Sequence, residues 1–417
     1  MEKEIIKRLI AEKQAEIATV ELMKRHIELD PSANYVFVGL RRAGKSYLMY
    51  QYIQDMIRSK QIAIEEVLYI NFEDERLLSV KAEKLGLFLE AYQEMFDFKP
   101  SIFLDEIQNI TGWEKFARRL ADSKYRVFIT GSNAQMLSKD IYTTLGGRFM
   151  AYEVFPFSFQ EYLKYHDIVL DKNWEYNDVR MQVIKQFRNY FYYGGFAESF
   201  AIKDKRNWIN SLYQKILLGD IISRNEIRNE NAIRVLVKKV AESVMQTSSL
   251  SRIKNVIDST GATISRNTLT DYLQYITDAY LVFGISNFSD KLSNKETFKK
   301  RYFFDNGLLN IFLIDPETKL LENLVAIDLK KNYGDDLFFY HRNVEVDFFI
   351  PKEHRAVQVS YSMANDITRQ RKITALVKLS KVYRLDKLEI VTFNEESTWQ
   401  EGDITIHIVP AWKWLNF

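Results

Sequence analysis

The sequence VGLRRAGKSYL at residues 38–48 constrains the fold of this chain more than any other stretch. Its glycines, lysine and serine satisfy the pattern G-x-x-x-x-G-K-[ST] between an apolar run and a helical pattern. In such a loop the glycines let backbone N–H groups surround phosphates, the lysine reaches the β- and γ-phosphates, and the hydroxyl holds Mg²⁺. The following helix also directs its N-terminus at the anion. We therefore expect ATP to contact Gly39, Leu40, Arg41, Arg42, Ala43, Gly44, Lys45, Ser46 and Tyr47.

Short apolar runs alternate with helical patterns through the first part of the chain. This alternation predicts an α/β fold in which helices cover a parallel sheet. Residues 1–33 are expected to be helical, and Pro156 marks the end of the block. The expected strands are 35–38, 67–70, 102–104 and 127–130.

Two adjacent carboxylates, Asp105 and Glu106, follow the third apolar run. An Asp-Glu pair alone is often a solvated strand end. Here it follows the phosphate loop by about 60 residues with one further strand between them, which favours a catalytic role. Asp105 is then expected to hold Mg²⁺ together with Ser46, directly or through water, and Glu106 to orient and polarise the attacking water.

The fourth run ends in a polar segment that contains Ser132 and Asn133. This strand is expected to lie between the first strand and the Mg²⁺-binding strand. A polar side chain at its end could contact the γ-phosphate or the water, and Ser132 is slightly preferred. The alternative is an ordinary N-cap for the helical turn that follows.

Two further residues are candidates for roles in turnover. Arg148 follows Gly146-Gly147, and an arginine held by a tight turn near a subunit edge could complete a neighbour's site. The alternative is a surface arginine. Asn71 closes the second expected strand and could hydrogen-bond Glu106, holding it inactive until a partner binds.

The core resembles an AAA-type ATPase of the additional-strand, catalytic-glutamate class. More specifically, it resembles a widespread prokaryotic family of predicted ATPases that join such a core to a winged helix and a C-terminal nuclease-like domain of unknown function. The resemblance implies Mg-ATP hydrolysis, with Arg148 as the candidate arginine finger. The segments that carry it, over nearly the whole chain, are GLRRAGKS (39–46), YINFEDERL (69–77), FLDEIQNITGWE (103–114), ITGSNAQML (129–137), LGGRF (145–149), VFPFSFQEYL (154–163), YYGGFAES (192–199), YFFDNGLL (302–309), ENLVAIDL (322–329) and VEVDFFI (344–350).

Four parts follow from the patterns and the resemblance together. Residues 1–155 are expected to form the P-loop ATPase domain with an N-terminal helix, and residues 156–230 a helical connecting region. Residues 231–305 are expected to form a winged helix, and residues 306–417 a restriction-endonuclease-like α/β domain.

The expected winged helix has helices at 232–244, 250–259 and 265–280 and a wing from 281–285 and 302–304. Its third helix would present polar residues to a DNA groove, and its wing loop would place basic residues on phosphates. The alternative is a winged helix used only for packing. The candidate contacts are Arg266, Asn267, Thr270, Asp271, Lys291, Lys295, Lys299, Lys300 and Arg301.

The resemblance to a nuclease fold implies a metal site that this sequence matches only in part. Glu322 fits the carboxylate on the first helix, and Asp347 fits the aspartate on a strand. The next strand carries Gln358 and Ser360 where Glu-x-Lys is expected. Because a neutral amide is a poor Mg²⁺ ligand and serine has no charge, we expect no nuclease activity. The domain could still bind DNA or a protein partner.

The composition excludes several classes of protein. The 417 residues carry a formal net charge of +2, so a nucleic-acid surface would have to be a local patch. No cysteine is present, which excludes disulfides and thiolate metal sites. The first residues lack the apolar core of a signal peptide, and no run reaches the ~18–20 apolar residues of a membrane span. We expect a cytoplasmic protein without a membrane partner.

Together these observations predict a Mg-dependent ATPase whose nucleotide state switches its engagement with DNA or a protein partner. A homo-oligomer is expected if Arg148 acts in trans, and the alternatives are that Arg148 acts in cis or has no role in turnover. One alternative is a nucleotide-gated nuclease that uses Glu322 and Asp347 with a substitute third ligand, for instance Glu345. The other is an ATP sensor that does not hydrolyse, although such a protein would not need Glu106.

Overall fold

A computed structural model of the chain describes residues 3–137, 143–291, 295 and 298–416. The chain divides into two compact units, one of residues 1–155 with 278–280 and the other of residues 156–277 with 281–417. Among the described residues, no helix combines the length and the apolar character needed to cross a bilayer.

The first unit is built on a five-stranded sheet in which all strand pairs are parallel. The strand order is β2-β3-β4-β1-β5, so β4 lies between β1 and β3 as predicted. The expected α/β class and the four expected strands are confirmed. The strands are β1 (Asn34–Val38), β2 (Val67–Asn71), β3 (Ser101–Asp105), β4 (Arg126–Gly131) and β5 (Phe149–Glu153).

Strand β5 was not predicted from the sequence. Its residues FMAYE are only partly buried, because it lies at the edge of the sheet and pairs only with β1. A short edge strand of this kind lacks the continuous apolar run that marks a strand covered on both faces. The central strands have that character, and the rings of Phe103 and Phe128 stack 4.7 Å apart between β3 and β4.

Helices pack against this sheet, and the first of them is shorter than predicted. The helices are α1 (Lys3–Thr19), α2 (Lys45–Arg58), α3 (Gly86–Gln93) and α4 (Trp113–Asp122). Helix α1 ends at Thr19, not near residue 33. The side-chain amide of Gln51 pairs with both the N–H and the C=O of Arg25, at 2.8 Å each. The backbone at Arg25 is thus satisfied without a helix, and residues 1 and 2 of the prediction lie outside the described part.

The second unit begins with helices and then forms a hairpin. Helices α9 to α11 and the antiparallel pair β6–β7 lie at the positions expected for a winged helix, and that assignment stays a prediction. Residues 292–294, 296 and 297 of the expected wing loop lie outside the described residues. The elements are α5 (Phe159–Tyr165), α6 (Val179–Tyr193), α7 (Ala197–Phe200), α8 (Lys205–Lys215), a π-helix (Ile216–Ser223), α9 (Glu230–Glu242), α10 (Leu250–Ser259), α11 (Arg266–Asp278), β6 (Val282–Ser286) and β7 (Lys299–Phe303).

A buried carboxylate joins two of the motifs quoted above. Asp305 Oδ2 accepts a hydrogen bond from the N–H of Gly195 at 2.7 Å, and Asp305 Oδ1 accepts one from Gly307 at 2.7 Å. A Cβ at Gly194 would lie 2.1 Å from Asp305 Oδ2, so only glycine fits there. The GG and DNG sequences therefore form one structural joint within the second unit.

The chain ends in a six-stranded mixed sheet of order β12-β13-β11-β10-β9-β8. Strands β10, β11 and β13 run parallel, and the remaining pairs are antiparallel. Strand β12 was not predicted, because its sequence STWQE is polar and mostly exposed. The elements are α12 (Asn306–Asn310), α13 (Glu317–Tyr333), β8 (Phe338–His341), β9 (Glu345–Ile350), β10 (Arg355–Ser360), α14 (Asp366–Ser380), β11 (Lys387–Thr392), β12 (Ser397–Glu401), β13 (Ile404–Pro410) and α15 (Ala411–Trp414).

Candidate nucleotide-binding site

The predicted phosphate loop connects β1 to α2 in a conformation that requires its glycines. Gly39 has φ +146° and Gly44 has φ +96°, values that side chains rarely adopt. A Cβ at Gly39 would also lie 2.2 Å from the carbonyl oxygen of Val154, at the end of β5. Backbone approach as close as this leaves no room for any other residue. Leu40 and Ala43 are buried, whereas Arg42 and Tyr47 are exposed.

Lys45 is buried beneath this loop. Its Nζ donates to the carbonyl oxygens of Gly39 at 3.0 Å and Leu40 at 3.1 Å, and lies 3.9 Å from Glu106 Oε1. The ammonium group is thus held at the start of α2, where the predicted phosphates would sit. Arg41 lies beside the loop, and its Nη1 donates to Glu73 Oε1 at 3.1 Å.

Asp105, at the end of β3, is the centre of a buried hydrogen-bond network. Its Oδ1 accepts from Ser46 Oγ at 3.0 Å and from the hydroxyl of Thr130, and its Oδ2 accepts from the Tyr69 hydroxyl at 2.7 Å. Burial, followed by the charge of Glu106, raises the pKa of Asp105, although these three donors lower it in part. The network holds the carboxylate in one orientation beside the loop.

Ser46 and Asp105 provide two oxygen atoms at the spacing of adjacent Mg²⁺ ligands. Hydroxyl and carboxylate oxygens are the hard ligands that Mg²⁺ prefers at 2.0–2.1 Å in octahedral geometry. Two adjacent ligands of such an octahedron lie about 3 Å apart. Ser46 Oγ and Asp105 Oδ1 are 3.0 Å apart, so the two residues predicted for the metal fit it.

Glu106 has a left-handed backbone with φ +51° that turns its side chain toward Lys45. Its N–H donates to Thr130 Oγ1 at 2.9 Å, and its Oε2 accepts from the side-chain amide of Gln108. Burial raises the pKa of Glu106, but Lys45, Gln108 and Arg41 together lower it more. The pKa of Glu106 therefore lies below its ordinary value, and the carboxylate stays ionised at neutral pH.

The suggestion that Asn71 holds Glu106 is wrong. Asn71 Oδ1 accepts from the N–H of Glu73 at 2.9 Å, in a local turn after β2. The amide that reaches Glu106 is that of Gln108, two residues further along the chain. A side chain on the turn after β3 is closer to Glu106 than one at the end of the neighbouring strand.

Ser132 and Asn133 are both buried after β4, and their contacts differ. Ser132 Oγ lies 3.5 Å from the amide nitrogen of Gln108, which places it next to the Gln108–Glu106 pair. Asn133 Oδ1 accepts from the N–H of Gln135 at 2.7 Å. Asn133 thus caps the turn that follows, which is the alternative role considered for this segment.

Arg148 lies near the amino ends of the parallel strands, whereas the phosphate loop lies at their carboxyl ends. Strands β1 and β5 are parallel, with Asn34 opposite Phe149 and Val38 opposite Glu153. Arg148 precedes β5 and is therefore next to the start of β1, whereas the loop follows its end. Its guanidinium pairs with Asp122 and donates to the carbonyl oxygen of Gly146 at 3.1 Å. It cannot reach the phosphate loop of its own chain.

Four residues of this site escaped the sequence analysis: Tyr69, Gln108, Thr130 and Arg25. Thr130 was a readable signal, since it is a polar residue at the end of an otherwise apolar run. Arg25 comes from the segment expected to be helical, and its Nη1 donates to the carbonyl oxygen of Ala43 at 3.0 Å. No local pattern connects Arg25 to a loop 18 residues away.

In the second unit, the residues predicted for a degenerate nuclease site do come together. Glu322, Asp347 and Gln358 are buried, and all three line one cleft. Lys372 of α14 donates to Asp347 Oδ2 at 2.6 Å and to Gln358 Oε1 at 2.9 Å. Lys372 thus supplies, from a helix, the positive charge that Ser360 lacks on the strand. Lys372 was not among the residues predicted from the sequence.

The residues expected to contact DNA differ in their exposure to solvent. Arg266, Asn267, Thr270 and Asp271 are all exposed on α11. The prediction that the wing loop places Lys300 on a phosphate is wrong. Lys300 is buried, and its Nζ lies 2.8 Å from Glu345 Oε1. Lys295 lies over the rings of Phe288 and Phe338 at 5.5 and 5.3 Å, and Lys299 and Arg301 are partly buried, which leaves Lys291 exposed.

Comparisons with known proteins agree with this architecture. Residues 32–163 match the family model of an AAA domain, and residues 184–318 match a domain of unknown function (DUF8612). The chain is similar to uncharacterized protein MJ1544 of Methanocaldococcus jannaschii, with 34% identity over 404 residues, 93% of this chain and 89% of the relative. An uncharacterized protein of Haemophilus influenzae is 28% identical over 340 residues, 79% of this chain and 82% of the relative.

Likeness to solved structures is weaker. The Aeropyrum pernix ORC1 protein, solved in complex with DNA, has 15% identity and a TM-score of 0.29, covering 75% of this chain and 92% of that one. The Aeropyrum pernix ORC2 protein has 12% identity and a TM-score of 0.36, covering 78% and 92%. Scores this low carry no argument about function.

Proposed function

Because the chain belongs to a family of AAA-domain proteins with members in archaea and bacteria, we propose that it binds and hydrolyses Mg-ATP at residues 39–46. We further propose that its nucleotide state switches its engagement with DNA or a protein partner. One observation carries the proposal: Lys45, Ser46, Asp105 and Glu106 converge at the carboxyl ends of β1 and β3, with 3.0 Å between Ser46 and Asp105 and 3.9 Å between Lys45 and Glu106.

Each of the four residues has a distinct task in this proposal. Lys45 exchanges its contacts with the loop carbonyls for the β- and γ-phosphates of ATP. Ser46 and Asp105 hold Mg²⁺, which when bound neutralises charge on the phosphate oxygens. Glu106 is ionised and accepts a hydrogen bond from the attacking water, orienting it toward the γ-phosphate. The proposal leaves little covalent work for the protein, as is usual in phosphoryl transfer.

Supporting residues keep Glu106 and Asp105 in place. The Thr130 hydroxyl contacts Asp105 and the backbone of Glu106 at the same time, so it couples the metal ligand to the base. Ser132 senses the γ-phosphate from its position beside Gln108, whereas Asn133 acts as a cap. Arg148 acts in trans, on the site of a neighbouring chain, and a homo-oligomer follows from that role.

DNA engagement rests on the exposed polar face of α11, within a winged helix at 231–305. Arg266 and Asn267 have the side-chain types that read base edges in a major groove. Helix α11 also carries Asp271, which repels phosphates, so a purely packing role for the winged helix stays the alternative.

Steady-state phosphate release tests the proposal directly. The wild-type chain, Glu106→Gln and the control Glu83→Gln are compared with Mg-ATP, alone and with single-stranded or duplex DNA. Glu83 is an exposed carboxylate of the same unit, so the control removes the same charge away from the site. We expect turnover in the wild type and the control and a loss of at least about 100-fold in Glu106→Gln. Equal turnover in all three chains would refute catalysis by Glu106.

The DNA arms of the same assay separate the partners. Turnover that rises with DNA supports coupling to nucleic acid, and turnover that ignores DNA directs the search to protein partners. Loss of turnover in Glu106→Gln with no effect of DNA would keep the ATPase and remove the DNA switch.

A non-hydrolysing ATP sensor is the second candidate. The hydrogen bond from Gln108 to Glu106 favours it, because a carboxylate oxygen held by an amide is less available to water. Tight ATP binding by the wild type without phosphate release under any of these conditions would support the sensor.

A further inference from the structure

The second unit contains a cleft of about 1140 Å³ that is lined by residues of α13, α14, β9 and β10 and by residues 244–246. Its floor is formed by Glu322, Asp347, Gln358 and Lys372, which are all buried. A volume this large lies at the upper end of ligand pockets and suits an extended ligand better than one small molecule. None of the described residues that line the cleft is aromatic, so its contacts cannot include base stacking.

The metal implied by the nuclease resemblance does not fit this floor. Lys372 Nζ lies 2.6 Å from Asp347 Oδ2 and 2.9 Å from Gln358 Oε1, so it bonds two of the three expected metal ligands. Lys300 Nζ lies 3.9 Å from Asp347 Oδ1, on the other side of the same carboxylate. A divalent cation bound there would be repelled by both ammonium groups. Among the described residues, no group of three acidic or histidine side chains could hold a metal.

The remaining floor carboxyl adds little negative charge. Glu322 Oε1 accepts a hydrogen bond from the Tyr302 hydroxyl at 2.7 Å. Burial, together with the charge of Asp347, raises the pKa of Glu322 to about 7. At neutral pH this carboxyl is therefore partly protonated, and the two buried lysines offset Asp347.

The rim of the cleft is basic. Arg369, Arg371 and Lys378 of α14 are exposed and line the cleft, and Lys319 of α13 lines it with them. Two carboxylates, Glu345 and Asp366, line the cleft as well, and Asp366 Oδ1 lies 3.6 Å from Arg369 Nη1. A positively charged groove that follows the backbone is the electrostatic part of sequence-independent single-strand binding, which elsewhere is combined with aromatic stacking. In this cleft the contacts would be to the backbone alone.

We propose that this cleft binds the sugar-phosphate backbone of single-stranded DNA through its basic rim, with the ammonium group of Lys372 in place of a divalent cation. Binding then needs no metal and leads to no cleavage. The inference rests on the proposed engagement of DNA and names a site for it. It is independent of ATP hydrolysis and of the exposed face of α11.

Fluorescence anisotropy with a labelled strand of about 20 nucleotides tests the site, since one binding domain covers ~4–16 nucleotides. The full chain is measured without nucleotide, so the result does not depend on hydrolysis at residues 39–46. The test variant is the double change Arg369→Glu and Arg371→Glu. The control is Lys203→Glu with Lys381→Glu, which makes the same change of charge at exposed residues of the same unit outside the cleft.

We expect at least a 10-fold loss of affinity in the test variant and less than a 2-fold change in the control. Each lost phosphate contact also reduces the slope of log affinity against log salt by about 0.7, so the double change lowers it by about 1.4. An equal loss in both double variants would overturn the site. If the wild type fails to bind the strand, both without nucleotide and with Mg-ATP, this inference falls. The ATPase and the proposed contacts of α11 with duplex DNA then stand, because neither is measured with a single strand.

A second arm tests the role of Lys372. Wild-type binding of the strand is expected to be the same in EDTA and in Mg²⁺, with no cleavage products. Calorimetric titration of the nucleotide-free protein with Mn²⁺ is expected to show no component that depends on Asp347, because Lys372 and Lys300 offset the charge of that carboxylate. Any Mn²⁺ that binds at Ser46 and Asp105 is expected to be the same in the wild type, Lys372→Met and Asp347→Asn. An Asp347-dependent component is expected to be larger in Lys372→Met than in the wild type. Wild-type Mn²⁺ binding that disappears in Asp347→Asn would overturn the proposal and favour a metal-dependent nuclease.

Discussion

The side-chain amide of Gln108 donates a hydrogen bond to Glu106 Oε2, while Glu106 Oε1 lies 3.9 Å from Lys45 Nζ. The carboxylate is thus held at both oxygens, by a neutral donor on one side and by a cation on the other. Both contacts lower the pKa of Glu106 against the effect of its burial. Gln108 is therefore a positioning residue for the proposed base.

Gln108→Leu is expected to lower kcat about 10-fold with little change in KM. General-base catalysis contributes about 10²–10⁴-fold to the rate, and this change weakens only the orientation of the Glu106 carboxylate. Removing a donor that lowers the pKa of Glu106 raises that pKa. The acidic limb of the kcat profile should therefore move to higher pH. The measurement is phosphate release across pH with saturating Mg-ATP.

Gln61→Leu serves as the control for this change, because Gln61 is an exposed glutamine of the same unit. A purely structural role for Gln108 would lower kcat without moving the acidic limb. Turnover that increases in Gln108→Leu would instead mean that the amide restrains Glu106 and would favour the sensor.

Thr130→Val is expected to weaken both the fold and the metal site. The change leaves the N–H of Glu106 without its acceptor, which costs about 1–3 kcal/mol in the free energy of unfolding. It also removes a donor that lowers the pKa of Asp105, so that pKa rises further. A larger fraction of Asp105 is then protonated at low pH, and the Mg²⁺ concentration for half-maximal turnover should increase more at pH 6 than at pH 8.

Thr111→Val provides the comparison, since Thr111 is an exposed threonine of the same unit. An identical Mg²⁺ requirement in Thr130→Val and Thr111→Val at both pH values would show that the Thr130 hydroxyl does not support the metal ligand.

The central part of the site was predictable because its signals are local. The loop at 39–46 carries its chemistry within eight consecutive residues, and Asp105 and Glu106 follow an apolar run whose burial is complete. Parallel strands end at the same edge of a sheet, so residues after β1, β3 and β4 had to meet. Composition and spacing were sufficient for that step.

The remaining contacts depend on tertiary placement. Asn71 and Gln108 are both amides near the ends of strands, and only the left-handed turn at Glu106 decides that Gln108 reaches the carboxylate. Lys372 lies 25 residues after Asp347 in a helix with mixed polar and apolar positions. Nothing in the helix sequence distinguishes a buried, paired lysine from the exposed ones around it.

Arg148→Ala is expected to abolish most turnover if the arginine acts on a neighbouring chain, since such fingers contribute about 10³–10⁵ in kcat. Its pair with Asp122 is partly exposed, with 35% and 45% of the two side chains accessible, and such pairs contribute about 0–1 kcal/mol. Because this pair is weak, contact with a neighbouring chain can release Arg148 from Asp122. Mixtures of Arg148→Ala and Glu106→Gln chains should turn over ATP faster than either alone, because each supplies what the other lacks.

Arg118→Ala is the matched control, since Arg118 is a partly exposed arginine that also pairs with Asp122. Wild-type turnover in Arg148→Ala would remove the finger role. Loss of turnover without recovery in the mixtures would contradict action in trans.

Glu322→Gln is expected to flatten the pH dependence of stability of the second unit. The pKa of Glu322 is about 7 in the folded chain, against an ordinary value of 4.5. Below pH 4.5 the carboxyl is protonated in the folded and in the unfolded chain, and above pH 7 it is ionised in both. Between these values only the unfolded chain has lost the proton, so a rise in pH favours unfolding. The free energy of unfolding decreases by on the order of 3 kcal/mol between these two pH values.

Thermal melting at pH 5 and pH 7.5 tests this. The melting temperature should decrease less between the two pH values in Glu322→Gln than in the wild type. Asp305 and Asp328, whose pKa values are each about 6, keep part of the slope in both chains. Melting curves that shift in parallel with pH would mean that Glu322 does not titrate in this range.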